Sequence, residues 1–403
     1  MNFSFYSNQV NLIVMKKNLL SIFVIFLILG MKCNSTENYA DTQKNKVFKI
    51  GIMAPFSGKY QNIGIAVLNS AKLALKDLGT KNIILYPKDN RADINESYKI
   101  AKEFEQNGID LVIGPIFYEN TKYLEKVNNL TFLALSNKLN NNPKNIITLG
   151  VNIQSQLNAI MNFLKENNYT KTLLLIPKSE YLHDIKKFYQ NSNHDFYKIV
   201  FYETDPKKIT FQIETITKYK NRKNELEIRK KKLENSDLIE HKNELKKLIL
   251  KDTLGDVEFD SVIVADFDER LKSVMASFDY VDVNKDKVKF FTLNQWFSDN
   301  LFDENSMQGL MFPSVDLNGY NNFRKKYFKF FDKVSSEISL SAYDAIGLAF
   351  YIYKNNNSIT KPEKFNTKVG FKGLQGNFNI KNNRANHKLY IYEISKNKFI
   401  NLN

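Results

Sequence analysis

The sequence predicts an α/β protein of two Rossmann-like lobes, with a charged helical hairpin inserted into the second lobe. The first observation is that Val47 to Ala54 form a short apolar stretch, followed by apolar residues at helical spacing up to Gly79. The second is that this rhythm of strand and helix begins again at Thr172. Strands that alternate with helices in this way predict parallel sheets covered by helices on both faces.

The first unit repeats the pattern four times with short loops. After the strand that ends at Ala54, we expect strands at 82–86, 110–113 and 131–135. Helices are predicted at 96–106 and at 119–128, between these strands.

The second unit has the same pattern, with strands predicted at 172–176, 197–202, 261–265 and 288–293. The carboxyl ends of parallel strands meet at one edge of a sheet, where ligands usually bind. We therefore look for binding residues in the loops that follow these strands.

Residues 217–252 have a different composition from the rest of the second unit. They contain 12 Lys or Arg against 7 Asp or Glu and neither Pro nor Gly. Leu226 and Leu233 lie seven residues apart, as do Leu238 and Leu245, which is typical of two short amphipathic helices. The segment is interpreted as a helical hairpin, either a solvated insertion or a partner-binding arm.

The beginning of the chain resembles an export signal. Lys16 and Lys17 follow Met15 and precede an apolar run, 19–30, which predicts a signal peptide within 1–33, translation from Met15 and a linker at 34–46. The run is too short to span a bilayer of about 30 Å as a helix, which disfavours the alternative of a membrane anchor. Cys33 is the single cysteine of the chain and the candidate lipidation site; the alternative is cleavage further on, after Ala40.

Composition and motifs exclude several functions. The formal net charge is +15, but the lysines are spread along the chain and do not form the clustered patch that nucleic-acid binding requires. No Walker loop, nucleophile elbow, dinucleotide fingerprint or zinc-protease motif occurs, and the 4 histidines lie far apart. We therefore expect no nucleic-acid partner, no enzyme activity, no cofactor and no metal.

Four stretches resemble the leucine-binding branch of the type I periplasmic binding proteins. They are "IGIMAPFSGKYQNIG" near 50–64, "DLVIGP" at 110–115, "LALSNK" at 133–138 and "SAYDAIGLAFYIY" at 341–353. The hairpin, the "FFTLNQW" strand and the closing "FKGLQGNFNIKNNRANHKLYIYEI" are similar to one sub-branch, the penicillin-binding protein activators. The likeness covers about residues 47–403.

The resemblance implies two lobes joined by three crossings around a cleft. Lobe one would take 47–150 and 317–370, and lobe two would take 151–316 and 371–403. The third crossing would then fall near Gly370 to Gly376.

The resemblance also implies ligand contacts in lobe one. Ser57 and Ser136 are its candidates, with Asn137 beside Ser136 and Tyr118 near the rim. Amino-acid receptors of this family carry a second hydroxyl just past Ser136, where this chain has Asn137-Lys138-Leu139. That departure disfavours binding of an amino-acid zwitterion and indicates a vestigial or altered cleft.

In lobe two, Tyr181 and Asp266 stand where the family places ligand contacts. Asp266, Asp268 and Glu269 have a second interpretation, as a strand end followed by acids in the first turn of a helix, where they favour the helix dipole.

The sequence thus predicts a non-enzymatic periplasmic protein of the leucine-binding type with a candidate lipid anchor at Cys33 as its one link to a membrane. The preferred function is a regulator that activates a peptidoglycan synthase, with that synthase or another envelope protein as partner. The alternative is the solute-binding receptor of an ABC transporter for amino acids or similar small molecules.

Overall fold

The computed structural model describes residues 47–138, 143–178, 182–191, 195–293, 304–356, 361–366, 370–396 and 398–403. The predicted signal peptide, the linker and Cys33 lie outside these described residues. Within them, the predicted architecture of two α/β units with an inserted helical hairpin is confirmed. No described helix is both long and apolar enough to cross a membrane.

The first sheet has eight strands in the order β11-β12-β13-β5-β4-β3-β1-β2. β1 pairs in parallel with β2 and β3, and the parallel pairing continues through β4 and β5 to β13. The strands are β1 (Phe48–Ala54), β2 (Ile83–Asp89), β3 (Leu111–Ile113), β4 (Phe132–Ala134), β5 (Ile146–Thr148), β11 (Phe371–Gly373), β12 (Gly376–Lys381) and β13 (Arg384–His387).

The second sheet has seven strands in the order β15-β14-β10-β9-β8-β6-β7. Its first five strands along the chain are parallel, and β14 and β15 add an antiparallel edge. The strands are β6 (Thr172–Pro177), β7 (Lys198–Tyr202), β8 (Ser261–Val264), β9 (Lys289–Thr292), β10 (Leu310–Ser314), β14 (Tyr390–Ser395) and β15 (Lys398–Asn401).

Ten α-helices are described, and capping residues account for several of their ends. α1 ends where Gly79 takes a left-handed conformation, and the side chains of Asp93 and Asn152 cap the first turns of α2 and α3. The helices are α1 (Gln61–Leu78), α2 (Ile94–Gln106), α3 (Ile153–Glu166), α4 (Leu182–Asn191), α5 (Pro206–Ile216), α6 (Tyr219–Glu234), α7 (Ile239–Ile249), α8 (Asp268–Tyr280), α9 (Leu317–Phe331) and α10 (Ile338–Asn356).

The chain passes between the sheets after β5, after β10 and between β13 and β14. The expectation that residues 371–403 complete the second lobe is wrong for 371–387, because β11 to β13 extend the first sheet. The third crossing therefore lies at Lys388 and Leu389, not near Gly370 to Gly376. The first crossing touches the strand that leads into the third, since Asn152 Nδ2 donates to the carbonyl of Ala385 in β13 at 2.7 Å.

The helix predicted at 119–128 is not formed. This stretch makes two 3₁₀ turns, Tyr118–Thr121 and Leu124–Lys126. The Nδ2 of buried Asn145 donates to the carbonyls of Leu124 and Val127, at 2.9 and 3.0 Å. A side chain thus takes the carbonyls that a helix would satisfy through its own backbone, which explains why the helical pattern is interrupted.

The hairpin of α6 and α7 has a small core of its own. Leu226 and Leu233 from α6 pack with Leu248 from α7, and all three are buried. At its root the hairpin also contributes to the core of the second lobe. Tyr219 belongs to the core of the second lobe, and Arg222 is buried beside it.

Candidate functional site

A pocket of about 330 Å³ opens where the carboxyl ends of β3 and β4 meet the first crossing. The first sheet supplies loops after both strands, and the start of α10 and the β11–β12 turn close the other side. The lining residues are Ile116, Phe117, Tyr118, Glu119, Leu135, Ser136, Asn137, Lys138, Gly150, Val151, Glu337, Ile338, Ser341 and Gln375.

Gly150 brings the first crossing against the loop after β4. A Cβ atom at Gly150 would lie 2.7 Å from the backbone N of Asn137 and from the carbonyl O of Ser136. The Gly150 N–H donates to that same carbonyl at 3.1 Å. The crossing and the pocket wall are thus in direct contact, and only glycine allows this approach.

Three residues that the sequence singled out line this pocket. Ser136 is buried, and its Oγ accepts the backbone N–H of Lys138 at 3.1 Å, while Asn137 is exposed and Tyr118 is half-buried. The side chain of Lys138 reaches across to Glu119, with Nζ 3.0 Å from the carboxylate. Lys138, one member of this ion pair, lies in the stretch just past Ser136 where the family resemblance implied a second hydroxyl.

Sequence reasoning missed the opposite wall, which is built around Asp344. This carboxylate is buried and accepts the backbone N–H groups of Leu374 and Gln375, at 2.7 and 2.9 Å. Ser341 Oγ donates to Oε1 of Gln375 at 3.1 Å, so the network fixes the amide that faces the pocket. Burial raises the pKa of Asp344 to about 6, although the N–H donors oppose that shift. The sequence carried one signal for this buried carboxylate, since Asp344 is a single acid within the apolar stretch "SAYDAIG".

Glu337 is the acidic group at the mouth of the pocket and was also missed. It is an exposed residue at the beginning of α10, but its carboxyl is partly desolvated by the pocket walls. This desolvation raises its pKa to about 7, and the charge of Arg324 offsets the shift only in part. The pocket therefore changes its charge near neutral pH.

Ser57 does not line the pocket. Its Oγ donates to Asp89 at the end of β2, and the N–H of Phe56 donates to the same carboxylate at 2.8 Å. Burial alone would raise the pKa of Asp89, but the hydrogen bonds from Ser57, Arg91 and Phe56 lower it. The role of Ser57 in the structure is to hold the loop after β1 against β2.

The second-lobe acid, Asp266, follows β8 and is 0 % exposed. Its carboxylate accepts the hydroxyl of Tyr202, the N–H of Phe267 at 2.8 Å and Nε of Arg270 at 2.9 Å. Burial, reinforced by the adjacent charge of Asp266, raises the pKa of Tyr202, so the phenol stays protonated and continues to donate. The oxygens of Asp266 are therefore occupied within their own lobe. Tyr181 lies outside the described residues.

A second cavity, of about 440 Å³, lies at the root of the hairpin. Arg222 crosses it to donate to the carbonyl of Val281 at 2.6 Å and to Oγ1 of Thr253 at 3.0 Å. Thr253 Oγ1 in turn donates to Asp282 at 2.7 Å. These bonds attach the hairpin to α8 and its following turn.

The pocket of the first lobe offers hydroxyl, amide and carboxyl groups among apolar walls, which suits hydrogen bonding to a small polar molecule. Among the residues the structure describes, no group of three or more His, Cys, Asp or Glu is arranged to hold a metal ion.

Comparison with known proteins adds the following. A family model described as periplasmic binding protein matches residues 47–192. No curated protein sequence matches the chain. The C-domain of LpoA from Haemophilus influenzae, described as a regulator of PBP1A, is similar at 13% identity and a TM-score of 0.61, over 88% of this chain and 100% of that one.

Two further solved structures extend the comparison. Full-length LpoA from the same organism matches at 13% identity and a TM-score of 0.62, over 89% of this chain, which spans 60% of the LpoA chain. The branched-chain amino acid binding protein LivJ from Streptococcus pneumoniae, in complex with isoleucine, matches at 16% identity and a TM-score of 0.52, over 88% of this chain and 98% of that one. Likenesses at these identities show the fold.

Proposed function

Because the chain has the type I periplasmic binding protein fold and carries a periplasmic binding protein domain, we propose that it is a non-enzymatic regulator of the cell envelope that binds and activates a peptidoglycan synthase. In this proposal the protein acts in the periplasm, and Cys33 is its candidate lipid anchor.

The observation that carries the proposal is that the carboxylate of Asp266 is hydrogen-bonded within its own lobe. A receptor for amino acids must give the ligand ammonium a carboxylate, because a buried charge without a partner is costly. In the second lobe the family position for such a contact is held by Asp266, whose oxygens already accept from Tyr202, Phe267 and Arg270. A regulator that works through its outer surface needs no such group in its cleft.

The likeness to LpoA suggests the kind of partner for this proposal. LpoA is a regulator of PBP1A, and a peptidoglycan synthase of that kind is the partner that we propose for this chain.

A solute-binding receptor for amino acids or similar molecules is the second candidate. The open pocket with Ser136, Ser341 and Gln375 favours it, since these groups converge on a space of about 330 Å³. The acid at its mouth, Glu337, could meet a cationic group in place of Asp266.

Two measurements on the purified full-length mature protein test the proposal. The first is the rate of glycan polymerisation by purified peptidoglycan synthases of the source organism, with and without this protein. The second is isothermal titration with a panel of amino acids and short peptides, together with X-ray scattering. We expect a faster polymerisation rate, no binding from the panel and no change in the radius of gyration.

Micromolar binding of a panel member, with a smaller radius of gyration on binding, would establish the receptor function instead. Such closure is the usual response of hinged binding proteins to their ligands. An unchanged polymerisation rate with every synthase would overturn the regulator proposal.

A further inference from the structure

The solvent side of α7 carries an unusual combination of side chains. Positions three and four residues apart lie on one side of a helix, and one such series on α7 is exposed. We call this set the outward face of α7; it consists of Ile239, Lys242, Asn243, Lys246, Ile249 and Leu250. Ile239 is 77% exposed, Ile249 61% and Leu250 87%.

The inward side of α7 accounts for the stability of the hairpin without help from the outward face. Leu248 and Leu245 pack against the leucines of α6. Glu244 accepts two hydrogen bonds from Arg229 of α6, at 2.9 and 2.8 Å. The apolar residues of the outward face therefore contribute to no described core, and leaving them in water is unfavourable.

The outward face has two ammonium groups, and the exposed Glu240 and Lys247 at its flank add no net charge. Lys242 lies 3.8 Å from Asp237, which is fully exposed in the turn between the helices, and Lys246 makes no ion pair with any residue that the structure describes. A complementary surface must supply both apolar contact and negative charge.

Building on the proposed function, we propose that the outward face of α7 docks an acidic amphipathic helix of the peptidoglycan synthase. Ile239, Lys242, Lys246 and Ile249 follow a spacing of three, four and three residues, which forms a ridge about 15 Å long. A partner helix with apolar residues flanking two acids fits this ridge and completes a three-helix arrangement with α6 and α7.

The order of side chains along the ridge favours a protein over a membrane or a polyanion. The lysines stand between Ile239 and Ile249, so insertion of the apolar residues into lipid would take two ammonium groups with them. A polyanion would satisfy the lysines and leave the apolar residues in water. A protein helix can meet each lysine with a carboxylate and each isoleucine with an apolar side chain.

The test uses the mature protein and two double variants of the outward face. Ile239→Ser with Ile249→Ser removes the apolar contacts, and Lys242→Glu with Lys246→Glu reverses the charge. The matched control is Lys231→Glu with Lys232→Glu, which makes the same change in net charge on the exposed side of α6. Affinity for the periplasmic region of each purified peptidoglycan synthase is measured by surface plasmon resonance at two salt concentrations, with thermal melting as the check of folding.

We expect both outward-face variants to bind the synthase at least tenfold more weakly, the control to stay within about twofold, and all three to melt like the wild type. Salt should weaken wild-type binding, because part of the contact is ionic. Equal affinity of all variants would overturn the docking proposal and leave the proposed function standing.

Absence of wild-type binding to any synthase would overturn both proposals. A parallel assay measures co-sedimentation with vesicles of phosphatidylcholine, with and without phosphatidylglycerol. If the outward-face variants lost binding to the anionic vesicles and kept their affinity for the synthase, the face would be a membrane contact and the docking proposal would be wrong.

Discussion

The two lobes differ in what the polar side chains after their parallel strands contact. In the first lobe, the loops after β3 and β4 leave Ser136 and Asn137 at an open pocket. In the second lobe, the loop after β8 turns Asp266 inward, where Tyr202, Phe267 and Arg270 occupy its carboxylate. The first lobe therefore presents polar side chains to a pocket, whereas the carboxylate of Asp266 is hydrogen-bonded within the second lobe.

This difference shows that an acid can occupy a position typical of ligand contacts while its carboxylate bonds to the protein itself. Asp266 stands at the end of a parallel strand, where acids often contact ligands. Its burial and its three donors give it instead the role of joining β7, β8 and α8. The same position can therefore be a ligand contact or a structural joint, depending on which donors the neighbouring elements bring.

The largest expected effect is that of Asp266→Ala. This variant leaves the buried hydroxyl of Tyr202 without its acceptor and removes the carboxylate that accepts from the half-buried Phe267 N–H and from Arg270, so the free energy of unfolding should fall by about 3–5 kcal/mol. Urea denaturation followed by circular dichroism measures the loss. Glu269→Ala is the control, since this acid is one turn away, exposed and paired with Lys272, and should change stability by less than about 0.5 kcal/mol. Similar losses for both variants would show that Asp266 does not stabilise the connection between β7, β8 and α8.

An intermediate effect is expected from Glu337→Gln, and it depends on pH. The pKa of Glu337 is about 7 in the folded protein and near 4.5 when unfolded. Below the unfolded pKa the group is protonated in both states, and as pH rises through about 7 the folded protein must bear a desolvated charge and loses stability. The variant should therefore melt with the wild type at pH 4 and at a higher temperature than the wild type at pH 8. A difference in melting temperature that is the same at both pH values would contradict the pKa shift.

The smallest expected effect is that of Ser136→Ala. The variant removes one hydrogen bond to the backbone N–H of Lys138, so it should cost about 1 kcal/mol or less. If the pocket serves no ligand, synthase binding and activation should be unchanged. A variant that lost activation while keeping its melting temperature would show that the first-lobe pocket takes part in regulation, and the contrast between the lobes would then be functional as well as structural.

Strong periodicity made most of the fold predictable. The strands of both units, α1 with its stop at Gly79, and the hairpin helices all follow local patterns that tertiary contacts support. The helix expected at 119–128 failed because its competitor is distant in sequence: Asn145 takes the carbonyls that the pattern assigns to a helix. The local sequence around 119–128 gives no indication of a hydrogen bond from a residue that far along the chain.

The third crossing was misplaced for a similar reason. β11 to β13 alternate like any amphipathic strands, and only the pairing of Arg384 with Thr148 decides that they extend the first sheet. The pocket was predicted in part, because strand ends indicate where Ser136 and Tyr118 meet. Its opposite wall, with Glu337 and Gln375, comes from segments some 200 residues away that no spacing rule connects to those strands.

The two ends of the hairpin lie close together, and this bears on how the insertion could evolve. The N–H of Leu254 donates to the carbonyl of Arg222 at 3.1 Å, so the chain enters and leaves the hairpin at almost the same point. An inserted segment whose two ends are one hydrogen bond apart can be lengthened, shortened or transplanted at a small cost in loop-closure entropy. Such a change leaves the register in which β7 and β8 pair with β6 unaltered. The hairpin is in this sense a cassette, and a related chain could exchange it for another and so change partners while keeping both sheets.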